Sequence, residues 1–271
     1  MTARLRPRTL GSSMSFYVPV ALRFTPANSG LVTRASQFGD AVILAGRGVA
    51  RAVELDASVL LALDVRWLAK QVDMLCDVLR GDRPVVLVLA HAGDPLELGG
   101  VAANLRRLVA NIPDVSVIRC DHGGLVAAAC GDGHTSIGLS TSTRHFVAAT
   151  MSAHRSRDRS PRVFVRALLD WFKGSELAGW DAARVPIRCH LRCCGGRSLG
   201  ELYFDEDSAD AALWHNMNAI ADFADHIVNT DPTDRPAVFR EACNAAVTHY
   251  GLAGVRGPAE VKRQLQNWAF S

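Results

Sequence analysis

VLLALDVRWLAKQVDMLCDVLRGDRPVVLVLAH, residues 59–91, holds two short apolar runs with a helical stretch between them. VLLALDV (59–65) and VVLVLAH (85–91) are rich in valine and leucine and have the length of strands buried on both faces. Residues 67–79 between them carry the spacing of a helix, and strand, helix, strand in succession predicts a parallel pair. The pattern extends outward in both directions. FYVPVAL (16–22), AVILAG (41–46), VSVIRC (115–120) and TSIGLS (135–140) are further strand-like runs, and residues 96–109 and 124–130 are helical, the latter stopped by GDG. The fold class is therefore α/β.

The far end of the chain differs. Beyond Ile187 the strand signal stops, and helical patterns cover 207–229, 236–250 and 258–270. The first opens on DEDSADAA, placing acidic residues in the first turn, where the helix dipole favours them. ATMSAHRSRDRSPR (149–162) is rich in serine and arginine and has no period, so it reads as a surface loop. The chain divides into a basic tail (1–14), a strand–helix body (15–187) and a helical C-terminal segment (188–271).

The 271 residues suffice for one barrel-sized domain or two small ones, and 49% hydrophobic with 21% charged residues is the balance of a globular protein. A net charge of +3 does not by itself call for nucleic acid, so a basic partner surface must come from local clustering. No apolar run approaches the ~20 residues of a bilayer span, and the basic first fifteen residues lack the apolar stretch of a signal peptide. Four of the seven cysteines lie singly in apolar segments, unlike a secreted disulfide scaffold. The expectation is a cytoplasmic protein with reduced thiols and no membrane partner.

In parallel α/β folds, ligands gather where strands end. LALDVRW places Asp64 at such an end, VLAHAGDP places His91 and Asp94, VIRCDHGG places Asp121, and IGLSTSTRH places Ser140, Ser142, Arg144 and His145. Asp94 before Pro95, and Asp121 before the glycine turn, also fit helix caps. Asp64 closes a strongly apolar strand, where an unpaired carboxylate would be costly. Together these residues suggest a pocket that reads a small polar ligand by hydrogen bonds. The hydroxyls, arginine and histidine of STSTRH also suit contact with an anion.

RCHLRCCGGRSL (188–199) places three cysteines within six residues, and WHN (214–216) follows about twenty residues later. Zinc takes four sulfur or nitrogen ligands in a tetrahedron. Cys189, Cys194 and His215 supply three, Cys193 or His190 the fourth, and Gly195–Gly196 let the chain turn beside the metal.

CHLRCCGGRSL followed by WHNMNAIADF resembles the zinc-binding segment of the tRNA-guanine transglycosylase family, which carries Cys-x-Cys-x-x-Cys and then a histidine followed by asparagine. Cys189, Cys194, His215 and Asn216 match; the middle cysteine falls at Leu191, which cannot ligate, so Cys193 or His190 takes its place. The resemblance implies a (β/α)8 TIM-like barrel, trimmed here, with a structural zinc in a helical subdomain that completes it. It also implies exchange of a guanine in tRNA or DNA for a deazapurine, through attack of an aspartate on the ribose C1′. LLALDVRW resembles the strand whose aspartate holds the base, mapping to Asp64, and His91 falls where the family has a glutamine. The family's nucleophile position reads Thr135 or Ser136, leaving Asp121 or Asp64 as the catalytic carboxylate. The alternative is a non-catalytic relative that binds a nucleotide or nucleic acid, or a partner subunit in a homo- or hetero-oligomer. Under either reading Arg155, Arg157, Arg159 and Arg162 would meet phosphates. A metal-dependent hydrolase is disfavoured, since no strand ends in His-x-His.

Overall fold

The computed structural model describes residues 59–80, 84–91, 93–131, 133–139, 144–146, 160–183, 186–203, 207–252 and 261–269. The tail (1–14), the apolar runs at 16–22 and 41–46, Ser140, Ser142, and Arg155, Arg157 and Arg159 lie outside them. The protein is mixed α/β. Four strands, β1 (Val59–Asp64), β2 (Val85–Ala90), β3 (Val115–Cys120) and β4 (Thr135–Ile137), form a parallel sheet in the order β1-β2-β3-β4. All six residues of β2 are buried, as expected for a central strand covered on both faces. Among the described residues this sheet ends at β1 and β4 and does not close into a barrel.

Helices connect the strands. The expected helix at 67–79 is two, α1 (Val65–Lys70) and α2 (Val72–Leu79), because Gln71 leaves helical geometry at φ −141°, ψ 40°. The expected helix at 96–109 is also divided. A short 3-10 turn, Pro95–Glu97, is capped by the Asp94 carboxylate, and Gly100, at φ 83°, resets the chain before α3 (Val101–Asn111). Val101, Leu105, Leu108 and Ile112 then repeat at helical spacing, and α3 packs against α1, α2 and α4 (Val126–Cys130).

After residue 160 comes an antiparallel hairpin that was not expected: β5 (Arg162–Val165) and β6 (Asp170–Lys173), followed by α5 (Gly174–Ala182). Its strands have four residues each, and its turn lacks glycine and proline, so the usual hairpin punctuation is missing. The C-terminal helices are α6 (Asp207–Val228), α7 (Arg235–Leu252) and α8 (Arg263–Ala269). Buried residues from Leu63 to Ala269 form one hydrophobic cluster, so the segments before and after residue 187 share a core. In that core Trp268 of α8 donates its Nε1–H to Ala102 of α3 (3.2 Å). Among the described residues no helix is long and apolar enough to cross a membrane.

Two local features set the carboxyl edge of the sheet. Arg119 is an extra residue in β3 opposite the step from Ser136 to Ile137, and its φ of 53° makes a β-bulge just before Asp121. Gly133, before β4, lies so close to β3 that a Cβ there would sit 1.6 Å from the Val115 carbonyl oxygen. Gly133→Ala must push two backbones apart, and a loss of about 3 kcal/mol or more is expected in urea unfolding. A loss under 0.5 kcal/mol would contradict this packing of β4 on β3.

Candidate metal centre and polar strand edge

Cys189, Cys193, Cys194 and His215 place one ligand atom each within 4.8 Å of one another, a group that could hold a metal ion. The cysteine loop is built by its own backbone. Gly196 N–H donates to Cys189 O (2.9 Å), Cys189 N–H to Arg197 O (3.0 Å), and Cys194 N–H to Leu191 O (3.1 Å). Gly195 (φ 60°) and Gly196 (φ 89°) make the left-handed turn that returns the chain past Cys194. Cys193 and Cys194 are adjacent, yet both thiols face His215. The Cys193–Cys194 Sγ separation is 3.7 Å, and the His215 Nδ1 lies 3.3 Å from Cys194 Sγ and 4.0 Å from Cys193 Sγ. Tetrahedral zinc with ordinary bond lengths requires S–S edges of about 3.8 Å and S–N edges of about 3.6 Å. The donor set is therefore compatible with zinc. His190 is exposed and stands outside the group, so Cys193 is the fourth donor.

The other face of the WHN tripeptide explains its spacing. Carbonyls only accept, so His215 donates Nε2–H to Phe164 O (2.8 Å), which leaves the Nδ1 lone pair facing the thiols. Asn216 Oδ1 accepts from Phe164 N–H (2.7 Å), and Asn216 Nδ2 donates to Arg162 O (2.7 Å). Two side chains of α6 thus satisfy the free edge of β5 as a neighbouring strand would. Burial lowers the His215 pKa, partly offset by its bond to Phe164, which favours the neutral, ligating form.

The strand-end residues form a second cluster. Asp121 is 1% exposed; its Oδ1 accepts from Arg144 (2.9 Å) and its Oδ2 from His145 Nε2 (2.8 Å). Burial alone would raise its pKa, but the His145 hydrogen bond and the Arg144 and Lys262 charges overcome this and hold the carboxyl well below the usual range. The Arg144 guanidinium lies 4.1 Å from the centroid of the Trp171 ring. Asp94 caps its turn through Oδ1 and with Oδ2 accepts from Lys262 Nζ (3.0 Å) and Gln264 Nε2 (3.0 Å). Lys262 also meets Asp170 (2.7 Å), whose other oxygen accepts from Tyr250 (2.8 Å). Burial disfavours the Lys262 ammonium, but Asp94 and Asp170 hold it charged. His91 follows β2 half-buried, its Nδ1 accepting from Gly93 N–H (3.2 Å). Asp64 ends β1 at the same edge, beside Ala90.

Asp94, Asp121 and His145 also bring ligand atoms within 4.8 Å. Here the carboxylates already bind Lys262 and Arg144, so a metal would have to displace two cations. Ion pairing, not ligation, describes this group. Of the expected residues, the structure joins Asp94, Asp121, Arg144 and His145 in one network. Lys262, Asp170, Tyr250 and Gln264 were not foreseen. They are single polar residues in the C-terminal segment and in a hairpin of unusual turn, and no local pattern marks them.

His122, beside Asp121, is buried; among the described residues neither of its ring nitrogens is hydrogen-bonded, and its ring lies 5.3 Å from that of Phe164. No protein-family model, curated protein or solved structure matches the chain.

Burial, reinforced by the Lys262 charge, lowers the His122 pKa to about 4. The unfolded value is 6.5, so His122 favours folding fully above pH 6.5 and loses that contribution as pH falls towards 4. The loss is about 3 kcal/mol at 1.36 kcal/mol per pKa unit. Urea unfolding of the wild type and His122→Phe at pH 7.5 and 4.5 should show this component only in the wild type; equal pH dependence would contradict a neutral buried imidazole.

Proposed function

We propose that the chain is a divergent transglycosylase-like protein that takes a purine or 7-deazapurine base, from tRNA or DNA, at the carboxyl edge of its parallel sheet. In this reading the four strands belong to a trimmed (β/α)8 barrel, and Cys189, Cys193, Cys194 and His215 hold a structural zinc. The observation that carries it is the convergence of Asp94, Asp121, Arg144 and His145 at the ends of successive parallel strands. A nucleobase edge presents N–H donors beside carbonyl and ring-nitrogen acceptors, and carboxylate, guanidinium and imidazole are complementary to these. All four zinc positions would be filled by protein, so the metal would support the fold and touch no substrate.

For exchange, a carboxylate must attack C1′. Asp121 has both oxygens engaged by cations or imidazole, which weakens it as a nucleophile and favours an anchoring role. Asp64, at the end of β1, is the carboxylate we assign to attack. The same engagement of Asp121 supports the second reading, in which the edge binds a base without exchanging it. Phosphate contact falls to Arg155, Arg157, Arg159 and Arg162, with the steep salt dependence of such contacts.

Radiolabelled guanine, with bulk tRNA or duplex DNA as acceptor, tests the reading in protein whose zinc content is measured. One zinc per chain, incorporation into one acceptor, and its loss in Asp64→Asn are expected for the exchanging form. Guanine binding without incorporation identifies the binding form. Absence of both in folded, zinc-loaded protein would refute the nucleobase reading.

A further inference from the structure

His145 differs from the other members of the polar edge. Asp121, Arg144 and Lys262 engage one another or other buried groups, while His145 has one nitrogen on Asp121 and a side chain 14% exposed. Asp121 is held ionised and its carboxylate can only accept, so His145 Nε2 carries the proton. In the neutral form of the ring, Nδ1 is then the nitrogen with the lone pair. Among the described residues nothing hydrogen-bonds to it. The residue that leads into it, Arg144, is fixed by Asp121 on one side and by the Trp171 ring beneath, and the His145 carbonyl is approached by Arg119 at 3.5 Å. The imidazole is therefore oriented from behind by Asp121, in a side chain that keeps some exposure.

We propose that His145 is the proton-accepting group of this edge, oriented by Asp121 as its positioning residue, and that its ligand is the N–H of a purine-type base. The inference rests on the nucleobase reading above and inverts the expectation that Asp121 itself reacts. In exchange, the incoming base gives its N9 proton to His145 Nδ1 as the N9–C1′ bond forms. The C1′–O bond to the attacking carboxylate breaks, and its electron pair returns to that oxygen. The imidazolium keeps Nε2–H on Asp121, whose charge stabilises it.

The arrangement predicts what an amide at position 121 would do. Arg144 claims Oδ1 at 2.9 Å, so Asp121→Asn keeps its carbonyl oxygen on the guanidinium and turns its NH2 towards His145 Nε2. Two donors cannot face each other, so the imidazole must move its proton to Nδ1 and lose its outward lone pair.

Long-range 1H–15N spectra of histidine-labelled protein read this directly, with His145→Gln assigning the signal among the nine histidines. The neutral wild type should show Nε2–H and an unprotonated Nδ1, and Asp121→Asn should show the reverse. Adding guanine should move the wild-type Nδ1 signal. A wild-type Nδ1–H tautomer overturns the proposal even if the buried variant fails to fold. An unchanged tautomer in folded Asp121→Asn overturns it too, as does guanine binding, seen by calorimetry, that leaves the His145 signal in place. No guanine binding at all refutes the nucleobase reading and with it the ligand named here. The two tautomer readings then decide the Asp121–His145 orientation by themselves.

Discussion

Both polar centres of this protein meet at Phe164, one at its peptide and the other at its ring. Its carbonyl accepts from His215 and its amide donates to Asn216, so helix α6 holds strand β5 by two adjacent side chains. The same His215 turns its second nitrogen to Cys193 and Cys194. On the far side, the Phe164 ring contacts His122 at 5.3 Å and Trp171 at 5.2 Å, and Trp171 carries the Arg144 guanidinium that pairs with Asp121. A metal held by the thiols would thus fix the histidine, the histidine the strand, and the strand the floor beneath the polar edge. Outer hydrogen bonds to ligating histidines do this generally: they set the tautomer and orient the ring.

The polar edge itself is costly to fold. Three carboxylates, Asp94, Asp121 and Asp170, are buried or nearly so; Arg144 is buried with them and Lys262 is partly buried. Taking such charges out of water costs several kcal/mol per ion unless each is paired and hydrogen-bonded. The pairing here is extensive, and it spans the chain: Asp94 follows β2, Asp170 opens β6, and Lys262 precedes α8. An apolar cluster of the same volume would stabilise the fold as well or better. In the proposed reading these charges serve the base, and His145 is the member that would touch it.

The sequence reveals the parallel strands because burial on both faces leaves uninterrupted apolar runs, as in VVLVLA at β2. The cysteine loop with WHN was legible for a related reason: sulfur and imidazole ligands are rare, and close spacing makes them conspicuous. Asp94, Asp121, Arg144 and His145 could be named because they follow strands, but their mutual pairing could not. It depends on the bulge at Arg119, where a left-handed residue shifts the register just before Asp121. Lys262 and Asp170 escaped notice because their partners lie 168 and 80 residues away, for Asp94 and Tyr250 respectively. The β5–β6 hairpin escaped because its turn, closed by Leu169 at φ 46°, uses buried leucines where glycine would be expected.

Hydrogen–deuterium exchange of metal-loaded and chelated protein, followed by peptide mass spectrometry, tests the link between the two centres most directly. The account predicts that chelation speeds exchange at 162–165, where the Phe164 amide is held by Asn216, and also at 119–122 beside the polar edge. Protection lost only within the cysteine loop, or unchanged everywhere, would contradict it.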